Sequence, residues 1–321
     1  MSKRGEFGFI DYIKANFPAQ EGTIGIGDDC AVIPAGEGEL LFSTDLLMEG
    51  VHFLRNESSP EDVGWKAAAV NLSDIAAMGG IPVATFLSIA LPKDAQGEWS
   101  ERFIEGYTQI SRQYDVPLLG GDTTSSHRDI AVNVGVLGRC PSGKRLMRNG
   151  AKVGETIYVT GPLGDSAAGL QAILKGIERT EEVTRLIERH KRPVPRIDAG
   201  RILMESGKVG AMMDISDGIA SDLRHIMNAS ELGAVIALDR LPCSPELVSV
   251  CAEHGWDRYE LSTSGGEDFE LLFTGPEGLE GLENELDIKI YPIGKTIPGN
   301  ELTWTLDGMA VDSDYMGYKH F

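Results

Sequence analysis

At 321 residues, 42% of them hydrophobic and 24% charged, the chain has ordinary globular composition and enough length for two domains with a sizeable core. Its 29 basic and 49 acidic residues leave a formal charge of −20, which disfavours nucleic acid or an anionic membrane as partner and obliges an anionic substrate to find metal cations or local Arg and Lys. The four cysteines show no CxxC or Cys/His spacing, which argues against zinc and for reduced thiols in the cytoplasm, and no run approaches the ~18 apolar residues of a membrane span.

Runs rich in Val, Ile and Phe alternate with longer helical stretches, which predicts an α/β or α+β protein. In the first half the pattern predicts a helix over Phe7–Ala15, a strand over Leu40–Phe42, a helix over Pro60–Met78, a strand over Ala84–Ala90, a helix over Trp99–Tyr114 and a strand over Ile130–Gly138. A strand over Ile157–Val159 then precedes helices over Ser166–Lys175, Glu181–His190, Asp198–Glu205 and Ile219–Ser230. A strand over Val235–Leu238, a helix over Pro245–Glu253 and strands over Phe269–Phe273 and Ile288–Ile293 complete the second half. Several helices open on Ser, Asp or Pro and close near Gly. The basic, Gly-punctuated segment Gly143–Glu155 marks a domain boundary, dividing the chain into 1–148 and 149–321, and "KRPVPR", Lys191–Arg196, links helices of the second half.

Acids recur where these elements meet. "GIGDDCA" carries Asp28 and Asp29, "STD" Asp45, "NLSD" Asp74, "GGDTT" Asp122, "DISDG" Asp214 and Asp217, and "GGEDFE" Glu267 and Asp268. "LLFSTD" and "PLLGGD" set Asp45 and Asp122 just beyond predicted strands, the end of the sheet where α/β folds collect ligands. One such Asp reads as a turn or helix cap, but six sites are harder to explain that way. Asp74 shares a helix face with Ala67, Asn71 and Met78, so its carboxylate points into packed protein unless a cavity, an ion or a buried salt bridge meets it.

Carboxylates gathered at one point repel each other, and a hard divalent cation such as Mg²⁺ relieves this while also binding substrate phosphate. Gly120–Gly121 and Gly265–Gly266 allow backbone N–H groups to approach a phosphate, and Thr123, Thr124 and Ser216 offer hydroxyls. Arg145 and Arg148 are candidate phosphate clamps or solvated charges. "GRCPSGKR" has Arg145 where a P-loop needs Ser or Thr, and "GIGDDC" lacks the last Gly of GxGxxG. No nucleophile stands with a base: the six His are scattered and Gly-x-Ser-x-Gly is absent. A phosphate-monoester acceptor, with a second pKa near ~6, would need neither, since its oxygen is already an anionic nucleophile.

The segments "GIGDDCAVI", "STDLLMEGVHF", "KAAAVNLSDIAAMGG", "GGDTT", "VTGPLGDSAAGL", "DISDGIASDL" and "SGGEDFELLF", in this order and spacing, resemble the thiamine-monophosphate kinase family of the aminoimidazole ribonucleotide synthetase superfamily. The resemblance runs from about residue 5 to the terminal "YMGYKHF". It implies an N-terminal α/β domain that pairs in a homodimer, an α+β domain after it, and phosphorylation of thiamine monophosphate by ATP through direct in-line transfer. It implies that Asp29, Ser43, Thr44, Asp45, Asp74, Asp122, Asp214 and Asp217 hold several Mg²⁺ ions, with Asp45, Asp122 and Asp217 at the reacting centre. Gly121, Asp122, Arg148 and Ser216 would hold ATP, with Tyr107 a candidate for the adenine, and His52, Glu267 and Tyr318 would line the thiamine phosphate pocket. Asp28 and Asp268 receive no role, and a packed histidine competes with the ligand role for His52. The three aromatics among Tyr315–Phe321 predict a docked tail, Phe321 covering the core. Two rivals stand beside this reading: a kinase of the same superfamily with another phosphorylated acceptor, and a non-catalytic divalent-ion binding protein, which would need neither "GGD" nor Arg148.

Overall fold

The computed structural model describes residues 14, 21–286, 288–311 and 315–318; apart from Lys14, the helix expected over Phe7–Ala15 lies outside them, as does Phe321. The first half is built on strands β1 (Ala31–Ala35), β2 (Gly38–Met48), β3 (Ile81–Leu91), β4 (Leu118–Ser125) and β5 (Ala131–Pro141), ordered β1-β2-β5-β3-β4. Neighbours run antiparallel except β3 and β4, which are parallel and joined through helix α2 (Glu98–Gln113). Alternation in β2 and β5 sends Leu41, Leu47, Val132, Val134 and Val136 into the core. Against that face lies helix α1 (Pro60–Ala77), opened by a capping box between Ser59 and Asp62 with Pro60 in its first turn. Its run of alanines, buried on nearly every side, keeps it thin enough to be covered by α2 as well.

The second half forms a seven-stranded sheet ordered β12-β11-β8-β10-β6-β9-β7, from β6 (Thr156–Val159), β7 (Met212–Asp214), β8 (Gly233–Ala237), β9 (Leu271–Gly275), β10 (Tyr291–Ile297), β11 (Leu302–Leu306) and β12 (Met309–Val311). Its helices are α3 (Asp165–Lys175), α4 (Glu181–Lys191), α5 (Ile197–Ser206), α6 (Ile219–Ser230), α7 (Pro245–His254), α8 (Arg258–Ser264) and the short α9 (Glu283–Leu286). One hydrophobic core runs from Leu41 and Ile75 across to Met212, Phe269 and Phe273, so α1 is shared by both halves. A β-carbon on Gly200 of α5 would lie 2.1 Å from the Ala76 carbonyl, a measure of how closely the two helices cross.

Two sequence expectations about strand ends are corrected. β2 continues past Phe42 to Met48 and β4 runs through "LLGGDTTS", so Asp45 and Asp122 lie inside strands rather than just beyond them. The polar residues that read as a turn are instead tolerated on strand faces, and β4 is exposed along its whole length. No helix of the described residues is long and apolar enough to cross a membrane.

Candidate active site

The two halves meet over acids. Asp29, just before β1, Asp74, in the last turn of α1, and Asp214, closing β7, bring carboxylate oxygens within 4.8 Å of one another. Ser43 Oγ donates to Asp74 Oδ2 and Ser73 Oγ to Asp214 Oδ2, each at 2.5 Å. The Asp45 amide donates to Asn71 Oδ1 at 3.1 Å, tying β2 to α1 beside them. Burial pushes Asp214 up to about 7 and Asp45 to about 6, with the Asp29 charge adding to both; burial and then Asp45 and Asp214 hold Asp74 well above the carboxylate range. Without a counter-cation these carboxyls therefore keep their protons to a higher pH than an ordinary carboxyl does. Arg148 is the nearby guanidinium, its Nη2 donating to Asp29 Oδ1 at 2.6 Å; burial works against its charge, but Asp29 and Asp28 keep it protonated. Asp29 Oδ2 nevertheless remains buried with no hydrogen-bond partner. An all-oxygen donor set with an orphaned carboxylate oxygen fits a hard divalent cation such as Mg²⁺.

Not every residue expected at this point reaches it. Ser43 and Asp45 share the α1 side of β2, whereas Thr44 turns to the opposite face, where Oγ1 donates to the Val134 carbonyl and accepts from Asn133. Its hydroxyl is thus no ligand in this cluster. Asp122 lies on the exposed edge strand, where its carboxylate accepts the Thr123 amide at 2.9 Å. Gly121 has a packing reason: at φ 150° its β-carbon would fall 1.7 Å from the Leu87 carbonyl of β3. Tyr107 is 2% exposed and its hydroxyl donates to Thr85 Oγ1, so it belongs to the core and not to an adenine surface. Arg145 pairs with Glu39 at 2.5 Å, away from the acids.

A cavity of about 750 Å³ opens from the cluster, with Asp45, Asp74, Asp214, Ser216 and Asp217 along one side. His52, Glu267 and Tyr318 line it as well. His52 Nδ1 accepts the Met48 amide at 3.0 Å. The tail is docked: Tyr315 meets Trp304 edge-on at 5.2 Å, and the Tyr318 amide donates to the Asp217 carbonyl at 2.9 Å. Gly317 permits this approach, since a β-carbon there would lie 2.6 Å from that carbonyl.

Several working residues escaped the sequence reading. Asp222 Oδ2, on α6, accepts the amides of Ser216 and Asp217 at 3.0 and 3.1 Å, fixing the loop that presents both to the cavity. The "SD" five residues beyond Asp217 carries the clue, but it reads as an ordinary first-turn acid. Asp222→Ala should lower the unfolding free energy by about 1–3 kcal/mol, since two partly buried amides lose their acceptor, whereas Asp222→Asn keeps a carbonyl there and should lose less; urea denaturation of the two variants checks this. Asp28, left without a role by sequence, accepts the Arg148 and Asp29 amides. Asp268 accepts the Gly164 and Ser166 amides at the start of α3, a carboxylate where the helix dipole favours one. Lys66 and His190 also line the cavity.

The family models for AIR synthase related protein match this chain at residues 27–140 for the N-terminal domain and 152–307 for the C-terminal domain. A thiamine-monophosphate kinase of Salmonella typhimurium is 42% identical over 305 residues, covering 92% of this chain and 91% of its own. That of Aquifex aeolicus is 38% identical over 322 residues, covering 100% and 99%. A solved structure described as AaThiL complexed with AMPPCP and TMP superposes with a TM-score of 0.88 at 36% identity, covering 100% of this chain and 98% of that one. The hydrogenase maturation protein HypE of E. coli, at 20% identity and a TM-score of 0.73, shares the fold.

Proposed function

The chain belongs to the thiamine-monophosphate kinase family, within the AIR synthase related proteins, and we propose that the cavity between its halves is where thiamine monophosphate takes the γ-phosphoryl group of ATP. The observation that carries this reading is the set Asp29, Asp74 and Asp214, with oxygens within 4.8 Å, beside a cavity that Glu267 and Tyr318 also line. A phosphate oxygen of the acceptor, anionic at neutral pH, attacks the γ-phosphorus; the bond from that phosphorus to the bridging oxygen breaks and ADP departs. The acceptor brings its own nucleophile, so no side-chain base and no phosphoenzyme is required. Several Mg²⁺ ions held by Asp29, Ser43, Asp45, Asp74, Asp214 and Asp217 would neutralise charge on the transferring oxygens. Ser216, which lines the cavity, and Arg148, which pairs with Asp29, suit the nucleotide phosphates, while Asp222 holds the Ser216 loop in place.

Thiamine carries a cationic thiazolium and a flat pyrimidine, which the phenol of Tyr318 and the carboxylate of Glu267 suit through stacking and charge. The outer face of the first sheet exposes Phe42, Leu46 and Phe86 at 42, 52 and 40%, an apolar surface that we assign to pairing with a second copy of the chain through residues 1–148. The cytoplasm, where the four free cysteines stay reduced, is the compartment that fits.

The test is ADP release against a panel of phosphorylated acceptors. Thiamine monophosphate alone should support turnover, and Tyr318→Ala should raise its KM by about tenfold while leaving that for ATP near wild type. Turnover with another acceptor, or none with thiamine monophosphate, refutes the assignment; unchanged constants with lower thermal stability would make Tyr318 a packing residue.

A further inference from the structure

Two basic side chains converge on one oxygen of Glu267. Lys66, in the first half of α1 with its side chain 4% exposed, places Nζ 2.8 Å from Glu267 Oε2 and also donates to the His52 carbonyl at 3.1 Å. His190, near the end of α4, brings Nδ1 to 3.3 Å from the same oxygen and 3.1 Å from Ser166 Oγ. Burial, with Lys66 adding to it, drives this imidazole down to about 3, so the ring is neutral. Facing a carboxylate, which can only accept, its one proton belongs on Nδ1. Burial alone would raise the Glu267 acid, but the Lys66 ammonium, through its charge and its hydrogen bond, outweighs it and holds the carboxyl below its ordinary range. Glu267 also adopts a left-handed backbone with φ 65°, a conformation that a side-chain-bearing residue keeps only when its surroundings hold it.

A buried ammonium is costly unless paired, and a partner nearby in sequence would serve if stability were the only demand. Lys66 instead reaches a carboxylate 201 positions away on a cavity wall, and through the His52 carbonyl it fixes a second residue of the same wall. Among the described residues both of these side-chain contacts to Glu267 fall on Oε2, which leaves Oε1 for a ligand.

We propose that Lys66 and His190 are positioning residues for the phosphoryl acceptor, occupying Oε2 of Glu267 so that Oε1 is presented to the organic part of the acceptor in the cavity. This rests on the assignment of the cavity to thiamine monophosphate. The acceptor end recognised in this way is one that offers N–H donors or a positive ring, and the phosphate end is left to the acids.

Lys66→Met, Glu267→Gln and the double variant, assayed by ADP release with both substrates varied, test the proposal. Lys66→Met should raise the KM for thiamine monophosphate by about tenfold or more and leave that for ATP within about twofold, and Lys66→Arg should recover part of the loss. The double variant should be no worse than Glu267→Gln, because a lysine that acts through Glu267 then has nothing to act on. It also removes the buried charge together with its partner, so it remains informative should Lys66→Met alone fail to fold. Equal rises in both constants, or losses that add in the double variant, overturn the proposal. Wild-type enzyme that releases no ADP in response to thiamine monophosphate would instead overturn the acceptor assignment, so the two failures are distinguishable.

Discussion

Asp214→Asn is expected to reduce turnover at least about a thousandfold, a loss of roughly 4 kcal/mol of transition-state stabilisation, without making the metal-free protein less stable. The two halves of this expectation have one cause. Asp214 is 3% exposed and shares its surroundings with Asp29 and Asp45, so in the absence of a cation its charge is repelled and its carboxyl rises to about 7. A carboxyl raised on folding favours the folded state below its unfolded value near ~3.9, and that contribution is lost as the pH climbs through the folded value. Metal-free wild-type protein should therefore lose thermal stability between about pH 4 and pH 7, and Mg²⁺ should restore more of it at pH 8 than at pH 5. Asparagine keeps a carbonyl to accept from Ser73 Oγ but cannot ionise, so the variant should lack this residue's part of the slope and most of the Mg²⁺ gain. Melting curves with EDTA and with Mg²⁺ across this pH range, beside steady-state turnover, measure all of it. Turnover within tenfold of wild type would remove Asp214 from the proposed metal-holding set, and a large drop in the metal-free midpoint would make it a structural carboxylate.

What the sequence made legible was local. Asp29, Asp74 and Asp214 stand in short motifs flanked by apolar residues, and α1 betrays Asp74 because a carboxylate on an otherwise buried alanine helix needs a partner. Element centres were legible for the same reason, since Pro60, Pro245 and the Val- and Ile-rich runs announce themselves within a few residues. Pairing across long separations was not. Nothing near Lys66 points to Glu267, 201 residues on, and nothing near Tyr107 says that its hydroxyl meets Thr85 inside the core. The reach of β4 through Asp122 to Ser125 was missed because an edge strand exposed along its length shows no alternation to read, and β7 because three residues are too few to carry a period. Thr44 shows the limit most simply: it sits between Ser43 and Asp45, and only strand geometry reveals that its side chain faces away.

Asp122 carries the second large expectation. Asp45 on β2 pairs with Val134 on β5, Val134 with Leu87 on β3, and Leu87 with Gly121 on β4. At a strand spacing of ~4.8 Å, the neighbourhoods of Asp45 and Asp122 are roughly 14 Å apart within one chain. Asp122 also pairs with Ser88, which is exposed on the face opposite the core, while Asp45 is on the α1 side. One copy of the chain does not gather both acids. If both serve one reaction, Asp122 must be supplied by a second copy, the one proposed to cover the exposed face of Phe42, Leu46 and Phe86. Asp45→Asn and Asp122→Asn should then each be nearly inactive as homodimers, yet complement each other when co-expressed. In a mixed dimer one site carries both substitutions and the other carries neither, so random pairing should restore about a quarter of wild-type turnover. Differently tagged copies, purified through both tags, should approach half. A mixture no more active than its components would show that the two acids do not meet across a dimer, and a monomeric mass at micromolar concentration would remove the second copy altogether.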